Sequence, residues 1–143
     1  MQFIRFKNDL FIYAEAKKLA GYLFVCIEDK TIFLAQRGKN ETSDPNLWEG
    51  LGGHVEKGES IEQAAKREVI EEGGSFPKCN VIKSVVNKKN DDVEYTLFIA
   101  NLTAAQKKNW KPKLNKEHQD AKWFSKLPND THPELIKELE LLV

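Results

Sequence analysis

Cysteine is scarce in this sequence, and its placement excludes a disulfide framework. The two cysteines are Cys26, inside an apolar run, and Cys79, shortly after a Phe-Pro pair. They show neither the close pairing of a redox motif nor the ligand spacing of a zinc site. Both are therefore predicted to be buried or incidental thiols without a metal or redox role.

An excess of charge of either sign is also lacking. The 22 basic and 22 acidic residues cancel, so no electrostatic argument favours binding to long nucleic acid or to an anionic membrane. We expect any nucleotide partner to be small. The pattern says nothing of the oligomeric state.

Long apolar runs are absent too. No stretch of about 18 apolar residues exists to span a bilayer, and residues 1–19 lack the apolar core of a signal peptide. We therefore expect a cytoplasmic protein that does not contact a membrane.

Glycine and proline are not enriched, and no internal repeat or linker interrupts the chain, which argues against a fibre or a disordered segment. With 143 residues and 41% hydrophobic residues, the chain has about the commonest size for one domain with its own core. We expect a single domain over residues 1–143.

Two β-hairpins are indicated by apolar, β-branched and aromatic segments. The first joins AGYLFVCIED to TIFLAQR, and the second spans residues 80–102, with its turn in the polar stretch at residues 88–92. AKWFSKL near the end reads as another strand. A Gly-rich segment, GLGGHVEKGES, lies between the hairpins and is expected to be a loop.

Two helices have clear start and stop signals. Ser60 and Gln63 form a capping box for a helix from about Ile61 to Glu72, which the following glycines end. Thr131 and Glu134 suggest a second capping box, for a closing helix in THPELIKELELLV. Hairpins combined with two helices argue for a mixed sheet flanked by helices, an α/β (α+β) class.

Three carboxylates crowd one face of the first helix. At about 100° per residue, Glu68, Glu71 and Glu72 fall within an arc of roughly 100°. This arc borders the apolar stripe of the helix, formed by Ile61, Ala65 and Val69. We therefore expect the carboxylates to reach into a cleft.

A divalent cation would offset the repulsion among these carboxylates. Ligands that are all oxygen suit Mg²⁺, with Mn²⁺ as the alternative, and Mg²⁺ usually shares its coordination with substrate phosphate. The other interpretation of REVIEE alone is a solvated acidic face without a ligand.

The spacing around this helix resembles the box of the MutT/Nudix family. That box reads Gly, five residues, Glu, seven residues, Arg-Glu, an aliphatic residue, one residue, Glu-Glu, one residue, Gly and an aliphatic residue. Within residues 53–75, only the last place departs, where Ser75 replaces the aliphatic residue. Eight positions are in register: Gly53, Glu59, Arg67, Glu68, Val69, Glu71, Glu72 and Gly74. The resemblance implies an α/β/α sandwich with a mixed β-sheet.

The resemblance also implies roles for the box. Glu72 and Glu68 are the first metal ligands, Glu71 shares ligand or base work, and the carbonyl of Gly53 is a further ligand. Glu68 is the preferred general base, although family members differ over which glutamate acts.

Four residues around these glutamates complete the predicted site. Arg67 is expected to turn away from Glu68 and to orient Glu71 or a loop carboxylate. Glu59 is expected to anchor the loop by accepting hydrogen bonds. Glu56 is predicted at the substrate or metal, and Gly52 at a close approach of the backbone.

Outside the box, Glu117 is a candidate metal ligand and Arg37 a candidate contact to substrate phosphates. The three histidines, His54, His118 and His132, have no spacing typical of zinc and are interpreted as solvated or hydrogen-bonding side chains.

A substrate base requires an aromatic or apolar surface. Trp123 is the predicted stacking residue if its strand position faces outwards. The other aromatic candidates are Trp48, Tyr95 and Phe98.

These features predict a metal-dependent pyrophosphohydrolase that cleaves the diphosphate of a nucleoside diphosphate linked to another group. A nucleoside or deoxynucleoside triphosphate, giving a monophosphate and pyrophosphate, is the first expectation. The alternatives are a dinucleoside polyphosphate or ADP-sugar hydrolase, and a Nudix-fold sensor that binds nucleotide without cleaving it.

Overall fold

The structure is a computed structural model that describes residues 2–5, 11–14 and 17–143. In the first two ranges, strands β1 (Gln2–Arg5) and β2 (Phe11–Ala14) form an antiparallel pair. Seven further strands form one sheet: β3 (Lys17–Cys26), β4 (Thr31–Arg37), β5 (Trp48–Glu49), β6 (Leu51–His54), β7 (Asn80–Asn90), β8 (Val93–Asn101) and β9 (His118–Phe124).

The seven-stranded sheet is mixed, as the sequence predicts. Its main path runs β5-β4-β3-β8-β7, with β6 paired to β3 and β9 paired to β4. Strands β3 and β8 are parallel, whereas the other pairs are antiparallel.

Both predicted hairpins are present. In the first, Phe24 of β3 lies opposite Phe33 of β4. The second hairpin is tighter than expected, because β7 continues through the predicted turn to Asn90, which lies opposite Val93. Only residues 91 and 92 separate the two strands.

The Gly-rich segment is not all loop, which corrects the sequence prediction. Its first residues form β6, where Gly52 lies opposite Gly21 of β3. A Cβ on Gly52 would come 2.5 Å from the carbonyl oxygen of Ala20 and 2.6 Å from Cα of Gly21. Glycine is needed here because the two backbones approach too closely for a side chain.

Helix α1 spans Ile61–Gly73 and begins with the predicted capping box. The Ser60 side chain accepts from the Gln63 backbone N–H, and the Gln63 side chain accepts from that of Ser60. The helix ends at Gly74, whose φ of 80° is left-handed.

Helix α2 (Ala104–Asn109) was missed at the sequence level. Its start does have a signal, since Thr103 and Gln106 form a capping box. The helix is short and buries none of its residues, so the sequence shows no apolar periodicity that would predict it.

Helix α3 (Pro133–Glu140) is present, but its predicted cap is wrong. The N-cap is His132, whose Nδ1 accepts from the Glu134 backbone N–H. Pro133 occupies the first helical position, which moves the cap one residue beyond Thr131. The Thr131 hydroxyl instead donates to the carbonyl of Pro128.

The sheet separates two apolar clusters. On one face, Val69 of α1 and Trp110 pack with Tyr22 and Phe33. On the other, Leu135 of α3 packs with Leu34 and Leu97. Helices therefore cover both faces, which confirms the α/β/α arrangement.

Both cysteines are free, with Cys26 buried and Cys79 half-buried. Within the described ranges, no helix has the length and apolar character needed to cross a membrane.

Candidate active site

A cleft of about 420 Å³ opens on the α3 side of the sheet. Its walls come from strands β3 to β8, from α1 and α3, and from the segments after β4 and just before β9. Its polar lining residues include Arg37, Glu49, Glu68 and Glu117, the group called the polar end below, and its other lining residues include Tyr95 and Leu135. The volume is typical of small-molecule sites.

Glu72 lies beneath the polar end and is 1% exposed. Its Oε1 accepts from the Gly52 backbone N–H at 3.1 Å, whereas its buried Oε2 has no hydrogen-bond partner within residues 17–143. Burial raises the pKa of the Glu72 carboxyl from 4.5 to about 10, with the charges of Glu117 and Glu68 contributing in the same direction. An additional cation would remove this penalty.

Glu68 faces the same end, with 13% of its side chain exposed. Its carboxylate lies against the backbone of Gly53, where an added Cβ would come 2.5 Å from the carboxyl carbon. Gly53 thus allows the Glu68 carboxylate to approach the β6 backbone.

Two neighbouring residues on the last strand segment complete this end. One carboxylate oxygen each from Glu72 and Glu117 and a ring nitrogen of His118 lie within 4.8 Å of one another. His118 is buried and hydrogen-bonded, the second of the two roles expected for the histidines: its Nε2 lies 2.9 Å from Oε2 of Glu49.

Glu49 and His118 were not identified as site residues from the sequence. Glu49 directly precedes the Gly-rich segment, and His118 directly follows the candidate Glu117. Neither position carries a spacing pattern, because the residues meet only through the pairing of β5 and β9 with β4.

Arg67 lies at the centre of an ionic network on the outer side of α1. Its guanidinium donates twice to Glu59, at 2.8 and 3.1 Å, and once to the carbonyl of His54 at 2.9 Å. It also contacts both Glu68 and Glu71 at 3.0 Å. The expectation that Arg67 turns away from Glu68 is therefore wrong, because the guanidinium reaches the Glu68 carboxylate.

Glu59 accepts from the Glu56 backbone N–H as well as from Arg67. These bonds join the loop before α1 to the helix. Glu56 itself is 68% exposed, and its side chain comes only within 3.9 Å of Arg67. Glu71 is 53% exposed and contacts Arg67. The structure thus places neither Glu56 nor Glu71 among the residues that line the cleft.

Arg37 lines the polar end but is already engaged. It contacts Glu49 at 3.2 Å and donates to the carbonyl of Ser43 at 2.9 Å. About 21% of the side chain is exposed, so part of the guanidinium still faces solvent beside the carboxylates.

The structure does not bring Trp123 to the cleft. Its ring packs on the α1 side of the sheet, 5.4 Å from the ring of Phe33, with the Lys107 amine 4.7 Å from its centre. This placement does not support base stacking in the cleft. Of the four aromatic candidates, Tyr95 alone is a lining residue.

Ser75, the one departure from the box, has a partner of its own. Its hydroxyl accepts from the indole N–H of Trp110 at 3.2 Å. A hydrogen bond to the core on the α1 side thus takes the place of the packing that an aliphatic side chain would provide.

The donor set fits a divalent cation. The Glu117 carboxylate and the His118 imidazole lie close to the buried Glu72 carboxylate, whose Oε2 has no hydrogen-bond partner within residues 17–143, and the Glu68 carboxylate lies against the backbone of Gly53. Oxygen donors suit Mg²⁺ or Mn²⁺, and a nitrogen donor is accepted by Mn²⁺ and later metals.

Comparisons with known proteins identify sequence relatives of the chain. A putative 8-oxo-dGTP diphosphatase of Bacillus subtilis is 33% identical over 86 residues, which are 60% of this chain and 54% of the relative. An oxidized purine nucleoside triphosphate hydrolase of Danio rerio is 63% identical over 27 residues, 19% of this chain and 17% of the relative. The matches thus span about half or less of these relatives.

Solved structures share the fold. A MutT NUDIX hydrolase from Burkholderia pseudomallei superposes with a TM-score of 0.67 at 19% identity, covering 91% of this chain and all of that one. A C. elegans Ap4A hydrolase gives 0.58 at 22% identity, covering 87% of each chain. The pattern of the NUDIX domain matches residues 17–134. With the box in register and the fold shared, the chain belongs to the MutT/Nudix family.

Proposed function

We propose that the chain is a divalent-metal-dependent pyrophosphohydrolase that cleaves the diphosphate of a nucleoside diphosphate linked to another group. The observation that carries this proposal is the convergence of Glu68, Glu72 and Glu117 at one end of a nucleotide-sized cleft. Glu72 is buried without a cationic partner within residues 17–143, which is costly, so its grouping with Glu68 and Glu117 favours metal and phosphate.

Glu72, Glu68, Glu117 and the carbonyl of Gly53 would hold the cation. Bound there, the cation supplies charge neutralisation for the phosphate oxygens during hydrolysis. Because Glu71 is exposed, its proposed contribution to the site is made through its contact with Arg67.

Glu68 is the proposed general base. Its carboxylate lines the cleft, and the bond from Arg67 holds one of its oxygens in place. Removing a proton from the attacking water requires a fixed, accessible carboxylate, and no covalent enzyme intermediate is needed.

Arg67 and Glu59 act as positioning residues. Their paired hydrogen bonds lock the loop of residues 54–60 against α1. The same guanidinium spans Glu68 and Glu71, which fixes their orientation before substrate arrives.

The remainder of the cleft is proposed to receive the nucleoside. Tyr95, Leu97 and Leu135 provide aromatic and apolar surface, and Arg37 lies beside the carboxylates, where phosphates would lie. A nucleoside or deoxynucleoside triphosphate is the first proposed substrate, and the names of the Bacillus and Danio relatives support this class.

The test is a panel of nucleoside triphosphates, Ap4A and ADP-ribose incubated with Mg²⁺ and followed by chromatography at early times. We expect a triphosphate to yield the monophosphate and pyrophosphate as first products. A Glu72→Gln preparation purified in the same way identifies contaminating activity. Orthophosphate and a nucleoside diphosphate as first products would refute the proposed reaction, and release of no product from any substrate would favour a nucleotide sensor.

A further inference from the structure

His118 is the buried histidine whose ring is not fully hydrogen-bonded. Its side chain is 0% exposed, and Nε2 lies 2.9 Å from Glu49 Oε2. Nδ1 has no hydrogen-bond partner within residues 17–143. When a neutral imidazole donates its Nε2–H to a carboxylate, the ring lone pair lies on Nδ1. Within residues 17–143, no hydrogen-bond donor reaches this lone pair.

Glu72 presents a second polar atom of this kind. Its Oε2 is also buried and without a partner among residues 17–143. A ring nitrogen of His118 and carboxylate oxygens of Glu72 and Glu117 lie within 4.8 Å of one another. In the part of the chain from residue 17 onwards, no lysine or arginine forms an ion pair with Glu72 or Glu117. The buried Glu72 oxygen and the buried His118 nitrogen therefore both lack a partner that burial normally requires, and the exposed Glu117 carboxylate lies beside them.

The contact with Glu49 resembles the support that metal-binding histidines receive. Such histidines usually donate their other ring N–H to a carboxylate, which fixes the tautomer and the ring orientation. Glu49 is itself held by Arg37 at 3.2 Å, so the imidazole has a fixed partner on one side and an uncommitted nitrogen on the other.

We propose that His118 is a nitrogen ligand that joins Glu72 and Glu117 around one divalent cation, with Glu49 as the positioning residue for its ring. The inference rests on the proposed metal-dependent function and adds a mixed nitrogen and oxygen site to it. Imidazole suits Zn²⁺ and Co²⁺, whereas Mg²⁺ prefers oxygen ligands. This position therefore selects transition ions over Mg²⁺.

The competing interpretation gives His118 a purely structural role as the hydrogen-bond partner of Glu49. Nuclear magnetic resonance of the imidazole nitrogens distinguishes the two interpretations in the intact protein. The chain has three histidines, so His54 and His132 serve as internal controls. On titration with Zn²⁺, we expect the His118 nitrogen signals to move to values typical of coordination, while those of His54 and His132 stay. Unmoved His118 signals in protein saturated with Zn²⁺ would overturn the proposal.

Calorimetric metal binding to His118→Gln gives an independent readout. Glutamine can still donate to Glu49 from the position of Nε2, but it removes the second ring nitrogen. We expect Zn²⁺ and Co²⁺ affinity to fall by about tenfold or more, and Mg²⁺ affinity to change by less than about threefold. Equal losses for all three ions, or none for Zn²⁺, would overturn the proposal. Should this variant fail to fold, the resonance experiment on the unmodified chain decides alone.

Turnover with Mg²⁺, measured on the same unmodified protein, separates the two proposals. Activity that depends on Mg²⁺ with no histidine coordination would refute only the His118 ligand. Absence of any metal binding would refute both.

Discussion

The substitution Glu72→Gln separates a catalytic carboxylate from a structural one. Glu72 is buried and bonded through Oε1 to the Gly52 backbone N–H. Glutamine keeps the shape and one carbonyl oxygen, so this hydrogen bond survives. It removes the charge that would hold a hard cation. We expect turnover at saturating Mg²⁺ to fall by about 100-fold or more, equivalent to about 2.7 kcal/mol of transition-state stabilisation.

The stability of the metal-free protein should change in the opposite direction. With a folded pKa near 10 and an ordinary value of 4.5, Glu72 stays protonated at pH 7 when folded but ionises when unfolded. A carboxyl group whose pKa is raised by folding contributes its full stability only at pH values below its ordinary pKa, and this contribution is lost as the pH rises towards the folded pKa. At pH 7 the loss is about 3 kcal/mol, from 1.36 kcal/mol per unit over the interval from 4.5 to 7. Burial of an amide NH₂ without an acceptor offsets about 1–2 kcal/mol, which leaves a net gain of about 1–2 kcal/mol.

The assays are steady-state turnover with Mg²⁺ and urea unfolding with chelator at pH 7. Glu62→Gln is the matched control, since Glu62 lies on the same helix, is exposed, and pairs with Lys66 at 3.6 Å. Near-normal turnover of Glu72→Gln would mean that the glutamates form only an acidic surface. A clear loss of metal-free stability would show that Glu72 has a structural partner, which would refute the reasoning from its unpaired oxygen.

Four further outcomes are expected. Excess chelator should abolish turnover and Mg²⁺ or Mn²⁺ should restore it, whereas undiminished turnover would exclude a metal-dependent reaction. Arg67→Lys should lower the free energy of unfolding by about 1–2 kcal/mol, because one amine cannot span Glu59 and Glu71 as the guanidinium fork does; an unchanged urea midpoint would show that the network contributes little. Gly52→Ala should destabilise the fold by about 2 kcal/mol or more, because the added Cβ would meet the β3 backbone, and a normal thermal midpoint would contradict that contact. Burial raises the pKa of the Glu138 carboxyl, so the stability contributed by its neutral form is present below pH 4.5 and is lost as pH rises through the folded pKa. Glu138→Gln should therefore gain stability relative to the unmodified chain between pH 4 and 7. A difference in unfolding free energy that stays constant across this pH range would refute this prediction.

Local signals predicted much of the fold. The capping box at Ser60 and Gln63 located the start of α1 because the bonds involved lie within one helical turn. Apolar, β-branched and aromatic segments separated by polar turns located both hairpins. The cap of α3 was misplaced because Pro133 competes for the first helical position, and α2 was missed because it buries no residue.

The sequence by itself determined the family, through eight residues whose spacing places Glu68, Glu71 and Glu72 on one helix. The helix period alone puts these three in one arc, and the resemblance to the family ranked Glu72 and Glu68 before Glu71. Packing against β6 distinguishes them physically, because it buries Glu72 and leaves Glu71 exposed beside Arg67.

Only the tertiary structure decided which distant residues join the carboxylates. Glu49 and His118 reach the site because β5 and β9 both pair with β4, a relation between segments about 70 residues apart that no local pattern encodes. The same pairing turned Trp123 towards Phe33 and away from the cleft, because alternate residues of a strand face opposite sides of the sheet.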